Sequence, residues 1–167
     1  MSTTTNKHNQ PQRRSRFRQG YYRTKFPAKY IGDPTKIIFR SSWERLFCQY
    51  CDETPEILSW SSEPIAIPYI SPIDKKEHSY FVDFYMKIQK EEEVVEYLVE
   101  IKPSKVLNPP VMKEGLTTIK RLNAYNQAAK DWLVNKAKFT AAQEFARLNN
   151  KHFIVVTEEF LFKRIQK

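Results

Sequence analysis

The segment SYFVDFYMKI, residues 79–88, is followed after four polar residues by the segment EVVEYLVEIK, residues 93–102. Both segments are rich in aromatic and β-branched residues, so each predicts a β-strand. The polar run between them predicts the loop of a hairpin. Pro103 comes next and lacks an N–H group, which predicts the end of strand pairing. These residues therefore predict two neighbouring antiparallel strands.

Each predicted strand carries a charged group among apolar neighbours. Asp83 lies in the middle of the first strand, and Glu100 lies near the end of the second. A carboxylate among apolar residues is costly unless something compensates it. Residues two apart in a strand share a face, so Glu100 and Lys102 should point the same way. With Asp83 on the adjoining strand, we expect the three groups to converge at one end of the hairpin.

Such a trio suits phosphodiester hydrolysis. Two carboxylates can hold one or two Mg²⁺ ions, or Mn²⁺, because these ions prefer hard oxygen ligands. The ion lowers the pKa of a bound water and neutralises phosphate oxygens, and a neighbouring lysine can orient the water or share the transition-state charge. Separately, Asp83 could be a solvated strand residue, and Glu100 with Lys102 an ordinary surface pair. Together they favour a catalytic site.

A helix is predicted from Ser41 to Asp52, with Ser41 or Ser42 as its cap. Glu44 borders the apolar face of this helix and could reach the same cluster, as a further metal ligand or a base. The apolar face itself has helical spacing; it comprises Trp43, Leu46, Phe47, Tyr50 and Cys51. Cys48 and Cys51 form a single C-x-x-C pair, which predicts core packing rather than a zinc site.

The order of the remaining elements predicts an α/β fold with a mixed central sheet flanked by helices. Glu56–Tyr69 is interrupted by prolines, which predicts short extended pieces near a sheet edge. Two helices are predicted over Leu116–Lys130 and Asp131–Asn150. A short apolar strand over His152–Thr157 and a last helix over Glu158–Lys167 follow.

Charge is concentrated at the N-terminus. Residues 1–32 contain eight basic residues and no acidic one, while the other 135 contain 20 basic and 19 acidic residues. The aromatic residues interleaved with these charges predict a flexible arm, the basic arm (residues 1–32), that binds DNA ahead of a folded domain (residues 33–167). A solubilising tail, or an arm that binds an acidic protein surface, has the same composition. The candidate DNA-binding residues are Arg13, Arg14, Arg16, Arg18, Arg23, Lys25 and Lys29.

Several classes of function are disfavoured by composition. No run of about 18 apolar residues is present, so no membrane span is expected. The chain has three glycines and no glycine-rich loop, which argues against a phosphate cradle and a nucleotide cofactor. Two cysteines are too few for a disulfide framework and fit a reducing cytosol.

The spacing of these residues resembles a known signature. Asp83 followed by Glu100-Ile101-Lys102 resembles the D-x(n)-(D/E)-x-K motif of the PD-(D/E)xK nuclease superfamily, although Val82 stands where many members have proline. A closer likeness, to the head completion nucleases of T4-like phages, covers most of residues 40–162. Residues 132–157 also resemble the N-terminal nuclease domain of the TnsA transposition endonuclease. The closer likeness rests on Ser41–Arg45, Trp60–Ile65, Tyr80–Phe84 and Val99–Pro103.

The resemblance implies a restriction-endonuclease-like fold and a Mg²⁺-dependent DNA endonuclease, or end-processing nuclease, that acts in phage head completion after DNA packaging. It implies that Glu44, Asp83 and Glu100 are metal-associated acids and that Lys102 is the catalytic lysine. It also implies portal, neck or head proteins as partners, in the host cytoplasm during assembly or in the virion.

Two other functions remain open at this point. One is a structural head or neck protein that keeps the nuclease fold and binds portal or DNA. The other is the nuclease subunit of a transposition or recombination complex. The complete set of two acids and a lysine disfavours a purely structural role, and the short chain disfavours a subunit with its own DNA-recognition domain.

Overall fold

A computed structural model describes residues 19–112 and 118–165. Two short 3₁₀ turns, Pro27–Lys29 and Ser104–Val106, accompany the longer elements. No helix in the described part of the chain is both long enough and apolar enough to span a bilayer. In chain order the longer elements are β1 (Gly20–Tyr22), β2 (Ile37–Phe39), α1 (Ser42–Glu53), β3 (Ile57–Ser62), β4 (Ala66–Ile70), β5 (Glu77–Phe81), β6 (Phe84–Lys90), β7 (Glu93–Ile101), α2 (Ile119–Leu148), β8 (His152–Val156) and α3 (Glu158–Ile165).

The central sheet is mixed and has the strand order β3-β6-β7-β8. β6 and β7 pair antiparallel, with Phe84 opposite Val99, while β8 runs parallel to β7. The predicted hairpin and the α/β class are therefore confirmed. β3, from the proline-interrupted segment, lies at the edge of this sheet as expected.

Successive residues of β7 serve two hydrophobic clusters on opposite faces of the sheet. Val99 and Ile101 belong to the cluster that also contains residues of α1, α3, β1 and β2. Leu98 belongs to the second cluster, with residues of α2, β4 and β5. Cys48 and Cys51 are buried in the first cluster, and burial raises the pKa of both thiols, as the core-packing interpretation requires. The sheet is thus covered on both faces, which is the flanked arrangement predicted.

Residues 79–88 form two strands where one was predicted. β5 pairs with β4 in a separate two-stranded sheet, whereas β6 joins the central sheet. The chain passes between them at Val82 and Asp83. Val82 is fully buried, and the Asp83 carbonyl accepts a hydrogen bond of 2.9 Å from the Glu63 N–H. The break arises because the chain leaves one sheet for another, and it places Asp83 between strands instead of within one.

The two helices predicted over residues 116–150 are a single helix, α2, of 30 residues. Asp131, interpreted as the start of a second helix, accepts a hydrogen bond from the Gln127 side chain one turn earlier. No proline or glycine lies between residues 119 and 148, so the helical hydrogen bonds continue without interruption. At 1.5 Å per residue α2 is about 45 Å long.

Part of the segment assigned to the basic arm belongs to the folded body. β1 pairs with β2, and Tyr22 is buried with its ring edge-on to Trp60, at 6.1 Å between centroids. Tyr30 packs against the same indole at 4.9 Å. The expected boundary at residue 32 is therefore wrong, because these aromatic rings fill the core. Residues 1–18, with Arg13, Arg14, Arg16 and Arg18, lie outside the described residues.

A buried carboxylate fastens this N-terminal segment to α1. Asp52 accepts hydrogen bonds from the Tyr22 hydroxyl (3.2 Å), the Thr24 hydroxyl (2.5 Å) and the Lys25 N–H (2.7 Å). The Lys29 ammonium donates to the carbonyls of Asp52 and Thr54 at the end of the same helix. Since Asp52 is 1% exposed, these donors take the place of water around its charge.

We expect Asp52→Ala to lower the free energy of unfolding by about 2–4 kcal/mol, because several donors lose a charged acceptor in a buried site. Urea denaturation followed by circular dichroism measures this. Glu53→Ala is the matched control. Glu53 is exposed and pairs with Lys25 at the surface, where such a pair contributes about 0–1 kcal/mol. Equal effects of the two substitutions would contradict the anchoring role.

Candidate active site

Asp83 is tied to the end of β7 by a backbone hydrogen bond. Its Oδ2 atom accepts from the Ile101 N–H at 2.7 Å. No described residue bonds to its Oδ1 atom. The bond brings Asp83 alongside the Glu100–Lys102 segment, as the sequence predicted, although Asp83 stands at a break between strands.

Glu100 is buried, and its two carboxylate oxygens have different partners. Oε2 accepts a hydrogen bond of 2.6 Å from the Tyr80 hydroxyl, while Oε1 lies 2.9 Å from the Lys102 ammonium. The shared face predicted for Glu100 and Lys102 is therefore present. Tyr80 was not anticipated; its place three residues before Asp83 in the aromatic segment gave no distinct signal, because aromatic residues are common in strands.

The surroundings of Asp83 oppose its ionisation. Burial raises the pKa of Asp83 well above its usual range, and the charge of Glu100 raises it further. Burial alone would lower the pKa of Lys102. The charges of Glu100, Asp83 and Glu44 outweigh that effect and hold the Lys102 pKa above its ordinary value, so the ammonium group is charged. Burial and the Glu100 charge likewise raise the pKa of the Tyr80 hydroxyl, which stays a donor.

Glu44 occupies the first turn of α1, where it completes a reciprocal cap. The Ser41 hydroxyl accepts from the Glu44 N–H at 3.1 Å and donates to Oε1 at 2.9 Å, and Oε2 accepts from the Arg40 N–H at 2.7 Å. This arrangement resembles a capping box. Glu44 is close enough for its charge to act on Asp83 and Lys102. Among residues 19–112 and 118–165, no three Asp, Glu, His or Cys side chains form a metal-binding group.

An exposed arginine stands beside the acids. The guanidinium of Arg40 pairs with Glu63, at 2.5 Å and 3.1 Å to the two carboxylate oxygens. This hydrogen bonding raises the pKa of Arg40, and the nearby charges of Glu44 and Asp83 raise it further. The Glu63 N–H is the donor to the Asp83 carbonyl, so this pair borders the site on the β3 side. Arg40 was missed in the sequence because it precedes the predicted helix.

The predicted DNA-binding residues within the described part of the chain differ in their surroundings. Lys25 pairs with Glu53, and Lys29 donates to two carbonyls at the end of α1. These two side chains have intramolecular partners and stabilise the fold. Arg23 is exposed and makes no ion pair with a described residue, so it keeps its charge available.

The chemistry of Asp83 and Glu100 fits a divalent cation. Burial raises the pKa of Asp83, and the charge of Glu100 raises it further, so a cation near these two acids would favour the ionised form of Asp83. Mg²⁺ commonly takes one or two carboxylates and completes its shell with water and phosphate oxygens. A pair of acids is therefore sufficient, without a third carboxylate from α1.

Comparison with known proteins shows the family of this chain. The family model described as TnsA-like endonuclease N terminal matches residues 54–158, a range that contains Asp83, Glu100 and Lys102. The chain is also 40% identical over 134 residues to the head completion nuclease of Enterobacteria phage T4, which covers 80% of this chain and 87% of the phage protein. No solved structure matches the chain. The family match spans well over half of the sequence, and the chain therefore belongs to the TnsA-like endonuclease family and is a nuclease.

Proposed function

We propose that this protein is a Mg²⁺- or Mn²⁺-dependent DNA endonuclease or end-processing nuclease that acts in phage head completion after DNA packaging. The pair formed by the half-buried Asp83 and the buried Glu100, with Lys102 bound to one oxygen of Glu100, carries this proposal. The name of the T4 relative supports the place in head completion. The family supports endonuclease chemistry on a phosphodiester backbone.

Asp83 and Glu100 would hold the metal ion, which supplies a water of lowered pKa and neutralises charge on the scissile phosphate. The backbone N–H of Ile101 fixes Asp83, and the Tyr80 hydroxyl fixes Glu100. Because β6 and β7 are paired in register beside them, the two carboxylates are held by rigid elements. A metal ion held by this preorganised pair would supply positive charge for the negative charge that develops on the substrate phosphate.

Lys102 would stabilise the negative charge that grows on the phosphate oxygens. The Lys102 side chain is about one-third exposed, so a DNA strand can approach it while it is still bound to Glu100. Glu44 would act as an accessory acid through its charge on Lys102 and Asp83, from its position in the cap of α1. Arg40, exposed on the rim, is suited to a neighbouring phosphate once DNA displaces Glu63.

Residues 1–18 would supply sequence-independent affinity for the DNA backbone. They carry Arg13, Arg14, Arg16 and Arg18, and phosphate contacts by such side chains dominate non-specific binding. We also propose that the protein docks on portal, neck or head proteins of the assembling particle in the host cytoplasm and that it is retained in the virion. The support for these partners is the name of the T4 relative.

The direct test is nicking of supercoiled plasmid and shortening of linear DNA by purified protein with Mg²⁺ or Mn²⁺. We expect cleavage with either ion and none in EDTA. DNA binding without cleavage, with both ions and with portal protein added, would contradict the nuclease proposal and favour a structural role in the head or neck. Cleavage only after addition of a transposase subunit would favour the transposition alternative.

The affinity for DNA should depend on the arginines of residues 1–18. Replacing Arg13, Arg14, Arg16 and Arg18 by alanine is expected to lower the slope of log K against log salt by up to about 3–4 units, because each phosphate that a protein neutralises contributes about 0.9 to this slope. Fluorescence anisotropy with a labelled duplex at several salt concentrations measures the slope. Lys25→Ala is the control, since Lys25 already pairs with Glu53. An unchanged slope in the four-arginine variant would refute the proposed role of residues 1–18 in DNA binding.

A further inference from the structure

The two oxygens of Glu100 are not equivalent. Oε2 receives the Tyr80 hydroxyl at 2.6 Å and Oε1 faces the Lys102 ammonium at 2.9 Å. The hydroxyl therefore selects one oxygen and turns the other toward the lysine. A carboxylate on a flexible side chain has no such preference of its own, because rotation about its last bond interchanges the two oxygens.

Tyr80 itself is held in place on several sides. It is 4% exposed within the second cluster, and it pairs with Ile67 across the β4–β5 ladder. The ammonium of Lys138, on α2, lies 5.6 Å from the centre of its ring. A charge over an aromatic face at this distance is attractive, so the tyrosine is fixed by strand pairing, by packing and by a cation.

The same short stretch of chain also controls Asp83. The pairing of β5 with β4 ends at Phe81, the residue after Tyr80, and the fully buried Val82 lies between Phe81 and Asp83. The end of β5 therefore adjoins both acids of the site: Asp83 follows it in the chain, and Glu100 accepts the hydrogen bond of the tyrosine hydroxyl. The ring of Tyr80 contributes to the core, whereas its oxygen contacts only Glu100 among the described residues.

We infer that Tyr80 is a positioning residue of the active site, whose hydroxyl holds Oε2 of Glu100 and thereby directs Oε1 to the Lys102 side, where the carboxylate would bind a metal ion. This inference rests on the proposed metal-dependent function and adds a residue that acts through a ligand. Partners that orient a ligand in this way typically alter metal affinity or activity by about 10–100-fold when removed. A tyrosine that served the core alone would act through its ring and not through its oxygen.

The test is the affinity of Tyr80→Phe for Mn²⁺, measured by isothermal titration calorimetry on the full-length protein without DNA. We expect the dissociation constant to rise about 10–100-fold, while affinity for a DNA duplex in EDTA stays within twofold of wild type. Tyr69→Phe is the matched control. Tyr69, on β4, has its ring next to the same Lys138 ammonium. The Tyr69 hydroxyl has no hydrogen-bond partner among the described residues. It should bind Mn²⁺ as wild type does.

Wild-type affinity for Mn²⁺ in Tyr80→Phe would overturn the inference and leave the proposed function intact. Absence of Mn²⁺ binding by the wild type would overturn both. Near-UV circular dichroism checks that the variant is folded. If it is partly unfolded, an osmolyte that favours burial restores the folded state, and the same comparison of affinities then decides.

Discussion

Asp83→Asn is expected to reduce DNA cleavage at least about 10³-fold, because a charge that stabilises the transition state through a metal contributes several kcal/mol. The substitution keeps the oxygen that accepts from Ile101 N–H, so the local backbone should remain in place. Plasmid nicking with Mg²⁺ measures the loss. Residual cleavage within tenfold of wild type would exclude Asp83 from the site.

The same substitution is expected to stabilise the metal-free protein at neutral pH. In the folded state the Asp83 pKa is raised by burial and by Glu100, so the folded chain holds this proton more tightly than the unfolded chain. Metal-free stability therefore falls as pH rises from the unfolded pKa of about 3.9 through the folded value. Asp83→Asn removes that loss. In EDTA at pH 7 its Tm should exceed that of wild type by a few degrees, since 1 kcal/mol is about 2–4 °C in such a domain.

Differential scanning calorimetry in EDTA at pH 4 and pH 7 tests this expected gain in stability. The gain in Tm should appear at pH 7 and shrink at pH 4. Asp74→Asn is the control. Asp74 is exposed, and its pKa is lowered, first by its hydrogen bond with His78. That substitution should give no gain in Tm and leave cleavage unchanged. A Tm for Asp83→Asn below that of wild type at pH 7 would show that the Asp83 carboxyl group does not destabilise the metal-free protein.

Lys102→Met is expected to reduce cleavage about 10²–10³-fold, a loss typical of removing one group that stabilises transition-state charge. Affinity for Mn²⁺ should stay the same or rise, because the ammonium bound to Glu100 Oε1 competes with a cation for that oxygen. Nicking assays and Mn²⁺ titration on the same preparation separate the two effects. Loss of Mn²⁺ binding in this variant would mean that Lys102 supports the metal site instead of the reaction.

Lys151→Met supplies a closely matched control for that experiment. Lys151 pairs with Glu96, another glutamate of β7, and its side chain is 26% exposed against 31% for Lys102. Both substitutions thus remove a lysine paired with a glutamate of the same strand. Lys151→Met should leave cleavage near the wild-type rate. If both substitutions reduced cleavage equally, the effect of Lys102→Met would come from disturbing β7 and not from a role in the reaction.

Local patterns predicted the strands that carry the site. Alternation along residues 93–102 places Glu100 and Lys102 on one face, and this follows from the period of a strand, whatever surrounds it. The hairpin with residues 84–90 follows from two β-prone segments joined by a short polar run. For these reasons the convergence of Asp83, Glu100 and Lys102 was predictable before the rest of the fold.

Features that depend on distant partners were not predictable in this way. The break at Val82 and Asp83 exists because β5 pairs with β4 whereas β6 pairs with β3. Neither pairing can be predicted from residues 79–88 alone. The bond from Tyr80 to Glu100 joins residues 20 positions apart. The folded segment after residue 19 was mistaken for part of the arm because its charge was conspicuous, while the core contribution of Tyr22 and Tyr30 was not.

The helix boundary predicted before Asp131 is absent from the structure, because α2 runs through it. An acidic residue before an apolar run often caps a helix, but in α2 its side chain simply accepts a hydrogen bond from the preceding turn. Glu44 was linked to the site by its position beside the core. The hydrogen bonds that it makes at the cap of α1 also follow from the Ser41-x-x-Glu44 spacing, so a structural role could have been foreseen with the functional one.

The hydrogen bonds between Asp52 and the segment after Gly20 fix the point from which Arg13 to Arg18 would reach DNA. Arg13 stands seven residues before Gly20, and seven residues span at most about 25 Å, or about seven base pairs at 3.4 Å each. A duplex contact of these arginines would therefore lie within about that distance of Gly20, plus the length of the side chain. Their proposed contribution to DNA affinity should grow with duplex length only up to this reach, and longer fragments should gain nothing more from them.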